Sequence, residues 1–190
     1  MTKKRLAIFA SGSGSNAESI MKFFRNHSQI EVGAVLSNKE DAYVLERAKK
    51  FNIPSKVFAN TLFRECEEVL QWLKENNITH IVLAGFLLLI PEKLIRAFPN
   101  RIINIHPSLL PKFGGKGMYG MKVHEAVFAA RENETGITIH LVNAHYDEGQ
   151  ILAQVKCAVL PSDNAKSIAE KVLKIEHENY PRVIENWVLS

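Results

Sequence analysis

The chain begins with a short apolar run at residues 6–10, Leu-Ala-Ile-Phe-Ala, that stops at a glycine-serine turn. Five consecutive apolar residues leave no polar face for water, so they predict a strand buried on both faces, as in a parallel sheet. Helical spacing follows over residues 16–26, and a second apolar strand is predicted at residues 30–36. This order of elements predicts a βαβ unit, in which the two strands lie parallel.

The alternation of strands and helices continues to the end of the sequence. Further helices are predicted at 41–51, 61–76, 122–130 and 163–187, with a short one opened by Pro91, and further strands at 55–58, 80–84, 101–106, 135–142 and 151–159. The last two strands are close enough in sequence to pair antiparallel. The sequence therefore predicts an α/β fold with a Rossmann-like, mostly parallel sheet, helices on both faces and an antiparallel C-terminal strand pair. Because no repeat, low-complexity tract or linker divides the chain, a single domain is expected over residues 1–190, with its cleft outside the carboxyl ends of the strands.

Hydrophobic residues make up 46% of the chain and charged residues 23%, which is typical of a globular protein and excludes disorder, collagen and coiled coil. No apolar run approaches the ~20 residues of a membrane-spanning helix, and no signal-peptide pattern is present, so a cytoplasmic protein without a membrane partner is expected. The 24 Lys and Arg are dispersed among 20 Asp and Glu, which favours a solvated surface or a small anionic substrate over nucleic acid. Cys66 and Cys157 are too few for a disulfide framework or a thiolate metal site and are expected to be reduced.

The segment 11–16, Ser-Gly-Ser-Gly-Ser-Asn, joins the first strand to the first helix. Its backbone N–H groups and the helix N-terminus converge where an anion can bind. The second strand ends in Ser37-Asn38, where a dinucleotide-binding chain carries an acid for the ribose, and no Gly-Lys-Ser/Thr follows the glycines. The pattern favours a phosphomonoester site, and the alternative is a tight turn capped by Ser15 or Asn16.

Two polar residues, Asn104 and His106, lie in the stretch Asn-Ile-His-Pro at the end of a central strand. Strand periodicity places both on one face, where an amide can donate to an oxygen that becomes negative and an imidazole can carry a proton near neutral pH. The alternative for His106 is a buried histidine bonded to the backbone. Asp147, in the turn between the last two strands, either holds or charges this imidazole or is an ordinary turn aspartate.

The block Asn-Ile-His-Pro-Ser-Leu-Leu-Pro at residues 104–111 resembles the phosphoribosylglycinamide formyltransferase family, the folate-dependent enzymes of purine synthesis. The resemblance extends over nearly the whole chain and includes the glycine-serine loop, Leu-Ala-Gly-Phe at 83–86 and the Glu-His and Tyr-Pro pairs within 176–181. Variants of the block occur in methionyl-tRNA formyltransferase and formyltetrahydrofolate hydrolase. Those enzymes carry an additional C-terminal barrel or N-terminal domain, for which this chain is expected to have no room.

The resemblance implies formyl transfer from 10-formyltetrahydrofolate, a co-substrate, to the amino group of glycinamide ribonucleotide, with no metal, in a monomer or homodimer. It implies catalytic roles for Asn104, His106 and Asp147. The residues implied at the substrate phosphate and ribose are Gly14, Ser15, Asn16 and Glu176. The residues implied at the folate are Arg64, Leu87, Leu88, Leu89, Ile90, Asn104 and Asn143. The family often has an arginine where this chain has Leu88, so the wall here is more apolar.

A glycine-rich segment at 114–121 follows the Asn-Ile-His-Pro block, and the loop over residues 113–120 is longer and richer in glycine than is usual in the family that the chain resembles. Four glycines in eight residues predict a loop that is mobile in the free protein and orders over the site when substrates bind. The alternative is a static turn whose glycines satisfy positive φ angles. The alternatives for function are a formyltetrahydrofolate hydrolase, a formyltransferase acting on another amine, and a phospholigand-binding module without catalysis.

Overall fold

The computed structural model describes residues 3–190 of the chain. The strands are β1 (Lys4–Phe9), β2 (Ile30–Ser37), β3 (Ser55–Val57), β4 (His80–Leu83), β5 (Ile102–His106), β6 (Glu134–Leu141) and β7 (Ile151–Ala158). The helices are α1 (Ser15–Phe24), α2 (Val44–Lys50), α3 (Asn60–Glu65), α4 (Glu67–Glu75), α5 (Glu92–Ala97), α6 (Met121–Ala129) and α7 (Ala165–Leu189). Every predicted strand is present, with its ends shifted by at most two residues.

The strands form one sheet in the order β3-β2-β1-β4-β5-β6-β7 within the described residues. The first five strands run parallel, whereas β6 is antiparallel to both β5 and β7. The predicted fold class, a mostly parallel sheet with an antiparallel C-terminal pair, is therefore confirmed. The strands β1, β2 and β4 are nearly continuous apolar runs because helices cover both of their faces.

Two apolar clusters lie on opposite faces of the sheet. One packs α1, α2, α6 and α7 against the sheet, and its largest fully buried side chain is Tyr180. The other packs α3, α4 and α5 against alternate residues of the same strands and contains the edge-to-face rings of Phe9, Phe63 and Phe86. None of the helices between residues 3 and 190 is long and apolar enough to span a bilayer.

The helix predicted at 61–76 is two helices, α3 and α4, which meet at Cys66. This buried residue has φ +74°, its N–H closes α3 on the carbonyl of Leu62, and its carbonyl accepts the first bond of α4 from Leu70. The prediction of one helix was wrong because buried residues on both sides of the break keep helical spacing. The helix predicted at 41–51 also begins later, at Val44.

Helix α7 continues through Pro181, which has no N–H to donate to the carbonyl four residues earlier. That carbonyl belongs to His177, and it accepts a 3.0 Å hydrogen bond from the hydroxyl of Ser19 in α1. The proline therefore leaves a free acceptor inside the helix, and the neighbouring helix uses it. This contact joins α1 to α7 one turn along α1 from Asn16.

Candidate active site

A cavity of about 770 Å3 lies where several strands end together. Phe9 at the end of β1 pairs with Leu83 at the end of β4, and Leu83 pairs with Asn104 in β5. Strand β5 continues two residues further, so His106 extends beyond its parallel neighbour into the wall of the cavity. The remaining wall comes from the glycine-serine loop, residues 83–90, the loop after β6, the glycine-rich segment and one face of α7.

The structure brings Asn104, His106 and Asp147 together, although 41 residues separate the second from the third. Asp147 Oδ2 lies 3.4 Å from His106 Nδ1, and its Oδ1 accepts a 3.4 Å hydrogen bond from Asn104 Nδ2. The side chain of His106 is buried, while Asn104 is partly exposed to the cavity. The predicted pairing of the aspartate with the imidazole is thus present as a long charge contact.

Both ring nitrogens of His106 face acceptors. Nε2 lies 2.8 Å from the carbonyl oxygen of Phe113, which can only accept, so Nε2 carries a proton. Nδ1 faces the carboxylate of Asp147, and only the doubly protonated ring donates to both partners. Burial opposes that charge and lowers the pKa of His106 below its ordinary value, although the charge of Asp147 partly restores it. In this arrangement burial favours the neutral ring, and the carboxylate of Asp147 favours the imidazolium.

Asp147 is held in place by its own backbone and by the glycine-rich segment. Its φ is +57°, and its Oδ2 accepts a 2.9 Å hydrogen bond from the N–H of Gly115. Burial alone would raise its pKa, but the neighbouring imidazoles of His140 and His106 and the N–H of Gly115 outweigh burial and lower it. Two residues on, Gly149 passes so close to the sheet that a Cβ would meet the carbonyl oxygen of Leu141 at 1.6 Å. The turn that carries the aspartate therefore requires glycine.

His140 is a site residue that the sequence analysis missed. It lies opposite Asn104 in the antiparallel pair of β5 and β6, and it is buried. Its Nδ1 lies 2.8 Å from the carbonyl of Leu141, which can only accept, so the ring proton lies on Nδ1, and its Nε2 faces Asn104 Nδ2 at 3.2 Å. Both N–H groups of the Asn104 amide thus already have partners. The alternation of β6 could have indicated which face His140 occupies, but only the strand register places it beside Asn104.

The glycine-serine loop leads into α1 through a left-handed residue. Gly14 has φ +70°, and a Cβ there would lie 2.9 Å from the Cα of Val44, so any larger residue meets backbone. No side chain caps α1, which excludes the alternative in which Ser15 or Asn16 serves only as a cap. Uncapped first-turn N–H groups at the cavity wall are free to bind an anion.

The side-chain amide of Asn16 contacts α7. Its Nδ2 donates a 2.8 Å hydrogen bond to Glu176 Oε2 in α7, and its Oδ1 is buried without a partner. Burial raises the pKa of Glu176 to about 7, and the hydrogen bond from Asn16 offsets part of that rise. A buried carboxyl that titrates near neutral pH, next to an unsatisfied amide oxygen, fits a site for a polar ligand.

Asn38, after the end of β2, lies where a dinucleotide-binding chain carries the acid that binds the ribose. Its Oδ1 accepts a 2.6 Å hydrogen bond from Ser11, whose hydroxyl oxygen accepts in turn from the N–H of Leu87 at 3.0 Å. The position that would hold a dinucleotide ribose is therefore used to link the glycine-serine loop to the apolar wall.

Most of the predicted folate residues line the same cavity. The wall 87–90 includes Leu87 and Leu89, which are 41% and 43% exposed, and Asn143 lies across from it. Arg64 does not line this cavity. It is exposed in an adjoining cleft of about 410 Å3, which shares the 88–90 wall and Tyr146 with the larger one.

The glycine-rich segment uses its glycines in two ways. Gly115, Gly117 and Gly120 have φ of +91°, +90° and +56°, as a set turn requires. Gly114 instead approaches Leu110, whose side chain would meet a Cβ at 2.4 Å. Two further wall residues were not predicted from the sequence, Lys116 in this segment and the buried His124 at the start of α6. Only their place in the fold identifies them as part of the wall.

Comparison with known proteins agrees with this geometry. Residues 4–184 match the family model described as formyl transferase. The chain is 34% identical over 187 residues to the phosphoribosylglycinamide formyltransferase of Haemophilus influenzae, covering 96% of this chain and 86% of that protein. It is 43% identical to the chloroplastic phosphoribosylglycinamide formyltransferase of Vigna unguiculata, covering 96% of this chain but only 60% of that one. The chain thus spans about three fifths of the length of this plant relative.

Solved structures give the same result. The phosphoribosylglycinamide formyltransferase of Brucella melitensis superposes with a TM-score of 0.89 at 35% identity, covering 100% of this chain and 97% of that one. That of Bacillus halodurans gives 0.87 at 37% identity, covering 96% and 94%. From the family match, the identity and the shared sheet together, the chain belongs to the formyl transferase family.

Proposed function

We propose that the protein transfers the formyl group of 10-formyltetrahydrofolate to the amino group of glycinamide ribonucleotide in purine synthesis. The observation that carries the proposal is the convergence of Asn104, His106 and Asp147 in one cavity, between an uncapped helix N-terminus and an apolar wall. The helix N-terminus suits a phosphate, and the apolar wall suits a folate ring system. The same assignment is carried by the names of relatives that the chain covers almost fully.

In this reaction the amine attacks the formyl carbon, a C–N bond forms, and the formyl oxygen becomes negative. Asn104 Nδ2 meets that oxygen by giving up its weak 3.4 Å bond to Asp147. A preorganised donor of this kind contributes about 3–4 kcal/mol to the stability of the transition state. The amine loses a proton, the bond to the folate nitrogen breaks, and that nitrogen gains a proton. The products are the formylated amine and tetrahydrofolate.

His106 is the group that holds or moves this proton. Its lowered pKa lets the neutral ring accept a proton from the amine, and the adjacent carboxylate of Asp147 stabilises the imidazolium that results. Ser108 does not act as a nucleophile in this reaction, because it is buried and donates its hydroxyl to the carbonyl of Lys112.

Glycinamide ribonucleotide binds with its phosphate on Gly14, Ser15 and Asn16 and its ribose hydroxyls on Glu176. The folate lies along the 87–90 wall. The proposal also treats residues 1–190 as one domain that acts in the cytoplasm as a monomer or homodimer without nucleic-acid or membrane partners. The single domain is supported by the cavity itself, to which the glycine-serine loop, β4, β5, the loop after β6 and α7 all contribute.

Release of tetrahydrofolate from 10-formyltetrahydrofolate tests the proposal. Release that requires glycinamide ribonucleotide, with formation of the formylated product, is the expected result. Release in water alone would indicate a hydrolase, and release with another amine but not this one would indicate a different acceptor. The Asn104→Ala variant is the control for background hydrolysis. No release under any condition, with ligand binding retained, would make the protein a binding module and overturn the proposal.

A further inference from the structure

Helix α2 donates hydrogen bonds to two carbonyl oxygens of the glycine-serine loop. The backbone N–H of Val44 donates to the carbonyl of Gly12 at 3.1 Å. The side chain of Arg47, one turn further along α2, donates from Nε to the carbonyl of Ser13 at 2.8 Å. Two successive peptide groups of the loop are therefore oriented by one helix.

A planar trans peptide places its N–H opposite its C=O. Because the carbonyls of Gly12 and Ser13 point toward α2, the N–H groups of the next residues, Ser13 and Gly14, point away from it, on the side where the loop lines the cavity. Neither N–H has a protein acceptor among residues 3–190. Buried or cavity-facing N–H groups without protein partners are the donors that an anion uses.

Arg47 also controls the charge next to this loop. Its Nη1 forms an ion pair with Glu18, an acidic residue in the first turn of α1. A carboxylate there suits the helix dipole but repels an incoming phosphate, so its neutralisation matters. The guanidinium is held further by the ring of Tyr43, 5.0 Å from its centroid, and only 21% of the Arg47 side chain is exposed.

We infer that Arg47 is a positioning residue for the phosphate of the ribonucleotide substrate. It does not line the cavity and acts through the loop: its bond to the Ser13 carbonyl turns the Gly14 N–H toward the phosphate, and its ion pair removes the opposing charge of Glu18. This inference depends on the proposed function only for the identity of the phosphate ester. Lysine cannot replace arginine in this role, because it has no planar fork that bonds a carbonyl and a carboxylate at once.

Kinetics of Arg47→Gln and Arg47→Lys test the inference. Losing one charge-assisted hydrogen bond to the loop raises the KM for glycinamide ribonucleotide about ten-fold in both variants, while kcat and the KM for the folate stay within about two-fold, since Arg47 touches no reacting atom. Lys50→Gln is the matched control, because Lys50 lies on the same helix beside Tyr43 and does not contact the loop. Its KM should remain that of the parent protein.

A second measurement separates this inference from the proposed function. Inorganic phosphate titrated into 15N-labelled protein should move the amide resonance of Gly14, with a dissociation constant about ten-fold weaker in Arg47→Gln than in the parent or in Lys50→Gln. The titration requires no formyl transfer, so it can succeed where the activity assay fails. Full recovery of KM and of phosphate binding in Arg47→Lys would mean that charge alone matters and would overturn the positioning role, as would unchanged binding in Arg47→Gln.

Discussion

The polar side chains at the centre of the cavity already have hydrogen-bond or charge partners within the protein. Asn104 uses both amide hydrogens on His140 and Asp147, and His106 uses both ring nitrogens on Phe113 and Asp147. The free protein therefore holds these groups in place by bonds that substrate must replace. A long bond such as the 3.4 Å contact between Asn104 and Asp147 is the one lost at least cost.

Asn104→Ala and His106→Ala should each lower kcat while the fold and ligand binding survive. Removing an oxyanion donor costs about 10²–10³-fold in turnover, and removing the proton-transferring group costs about 10²–10⁴-fold. Single-turnover assays measure the chemical step, and circular dichroism controls for folding. A variant that keeps a parental kcat would remove that residue from the mechanism.

Asp147→Asn should lower the pKa of His106 further, since the carboxylate partly offsets the effect of burial and the amide does not. The acid limb of the pH profile then moves to lower pH, and activity at neutral pH falls because the imidazolium is less stable. Nitrogen NMR of the His106 ring measures the pKa directly, with Glu148→Gln as the neighbouring control. If the pKa does not change, the aspartate only positions the ring.

Glu176→Gln should stabilise the protein at alkaline pH and weaken the substrate complex. The carboxyl has a pKa of about 7 in the folded protein and 4.5 as its reference value, so the folded state holds a proton that the unfolded state releases between these values. Its contribution to stability is complete below pH 4.5 and is lost as pH rises through 7. Glutamine has no such loss, which makes the variant more stable by roughly 2–3 kcal/mol at pH 8 than at pH 5, relative to the parent.

Urea unfolding at both pH values measures this difference, with Glu178→Gln as an exposed control on the same helix. The same variant should raise the KM for the ribonucleotide, because the amide replaces one of the two acceptor oxygens of the carboxylate with an NH2 donor. A stability difference that is the same at pH 5 and pH 8 would show that the carboxyl titrates normally.

At the scale of elements, the glycine-rich segment contacts the candidate catalytic residues through Gly115 and through Phe113, the residue before it. Phe113, at φ +56°, places its carbonyl on His106 Nε2, and Gly115 donates to Asp147. A ligand that bonds Nε2 of His106 must displace the carbonyl of Phe113, which requires the residues next to the segment to move. This argument favours a mobile segment over a static turn, although three of its glycines do satisfy positive φ.

Residues 114–121 should exchange amide hydrogens faster in the free protein than in the complex with glycinamide ribonucleotide and an unreactive folate analogue. The expected change is an increase in protection of at least about ten-fold when both ligands bind, as for a loop that closes over its site. Helix α6, which follows the segment, serves as the internal reference. Equal protection with and without ligands would identify a static turn.

The elements that the sequence could predict are those whose signal is local. The apolar runs of β1, β2 and β4 reflect burial on both faces, and turn residues mark their ends, so strand positions and parallel order follow. The break at Cys66 could not be predicted, because buried residues keep helical spacing across it. In the site, strand periodicity brought Asn104 and His106 to one face, but the partnership with His140 depends on the β5–β6 register, which no local pattern specifies.

At the scale of the whole molecule, the cavity is lined by residues from both the first and the last third of the chain. Ribonucleotide bound between α1 and α7 contacts elements that are far apart in sequence, so binding should stabilise the fold as a unit. At a ligand concentration one hundred times the dissociation constant, the free energy of unfolding should rise by about 2.7 kcal/mol.

Thermal unfolding with glycinamide ribonucleotide and with NAD measures this effect. The ribonucleotide should raise the Tm and NAD should not, because Asn38 is engaged with Ser11 and offers no acid to a dinucleotide ribose. Stabilisation by micromolar NAD would contradict the phosphate-ester assignment of the glycine-serine loop.

The missing amide hydrogen of Pro181 fixes the register between α1 and α7. The free carbonyl, that of His177, accepts from Ser19. Glu176 directly precedes His177, and Asn16 lies one turn before Ser19, so the same two helices also form the Asn16–Glu176 pair. Sliding one helix by a turn would leave the hydroxyl and the carbonyl unsatisfied at a cost of about 1–3 kcal/mol each. A residue that ordinarily interrupts helices therefore sets the alignment of α1 and α7 here, and with it the pairing of Asn16 and Glu176, the two side chains proposed to bind the substrate.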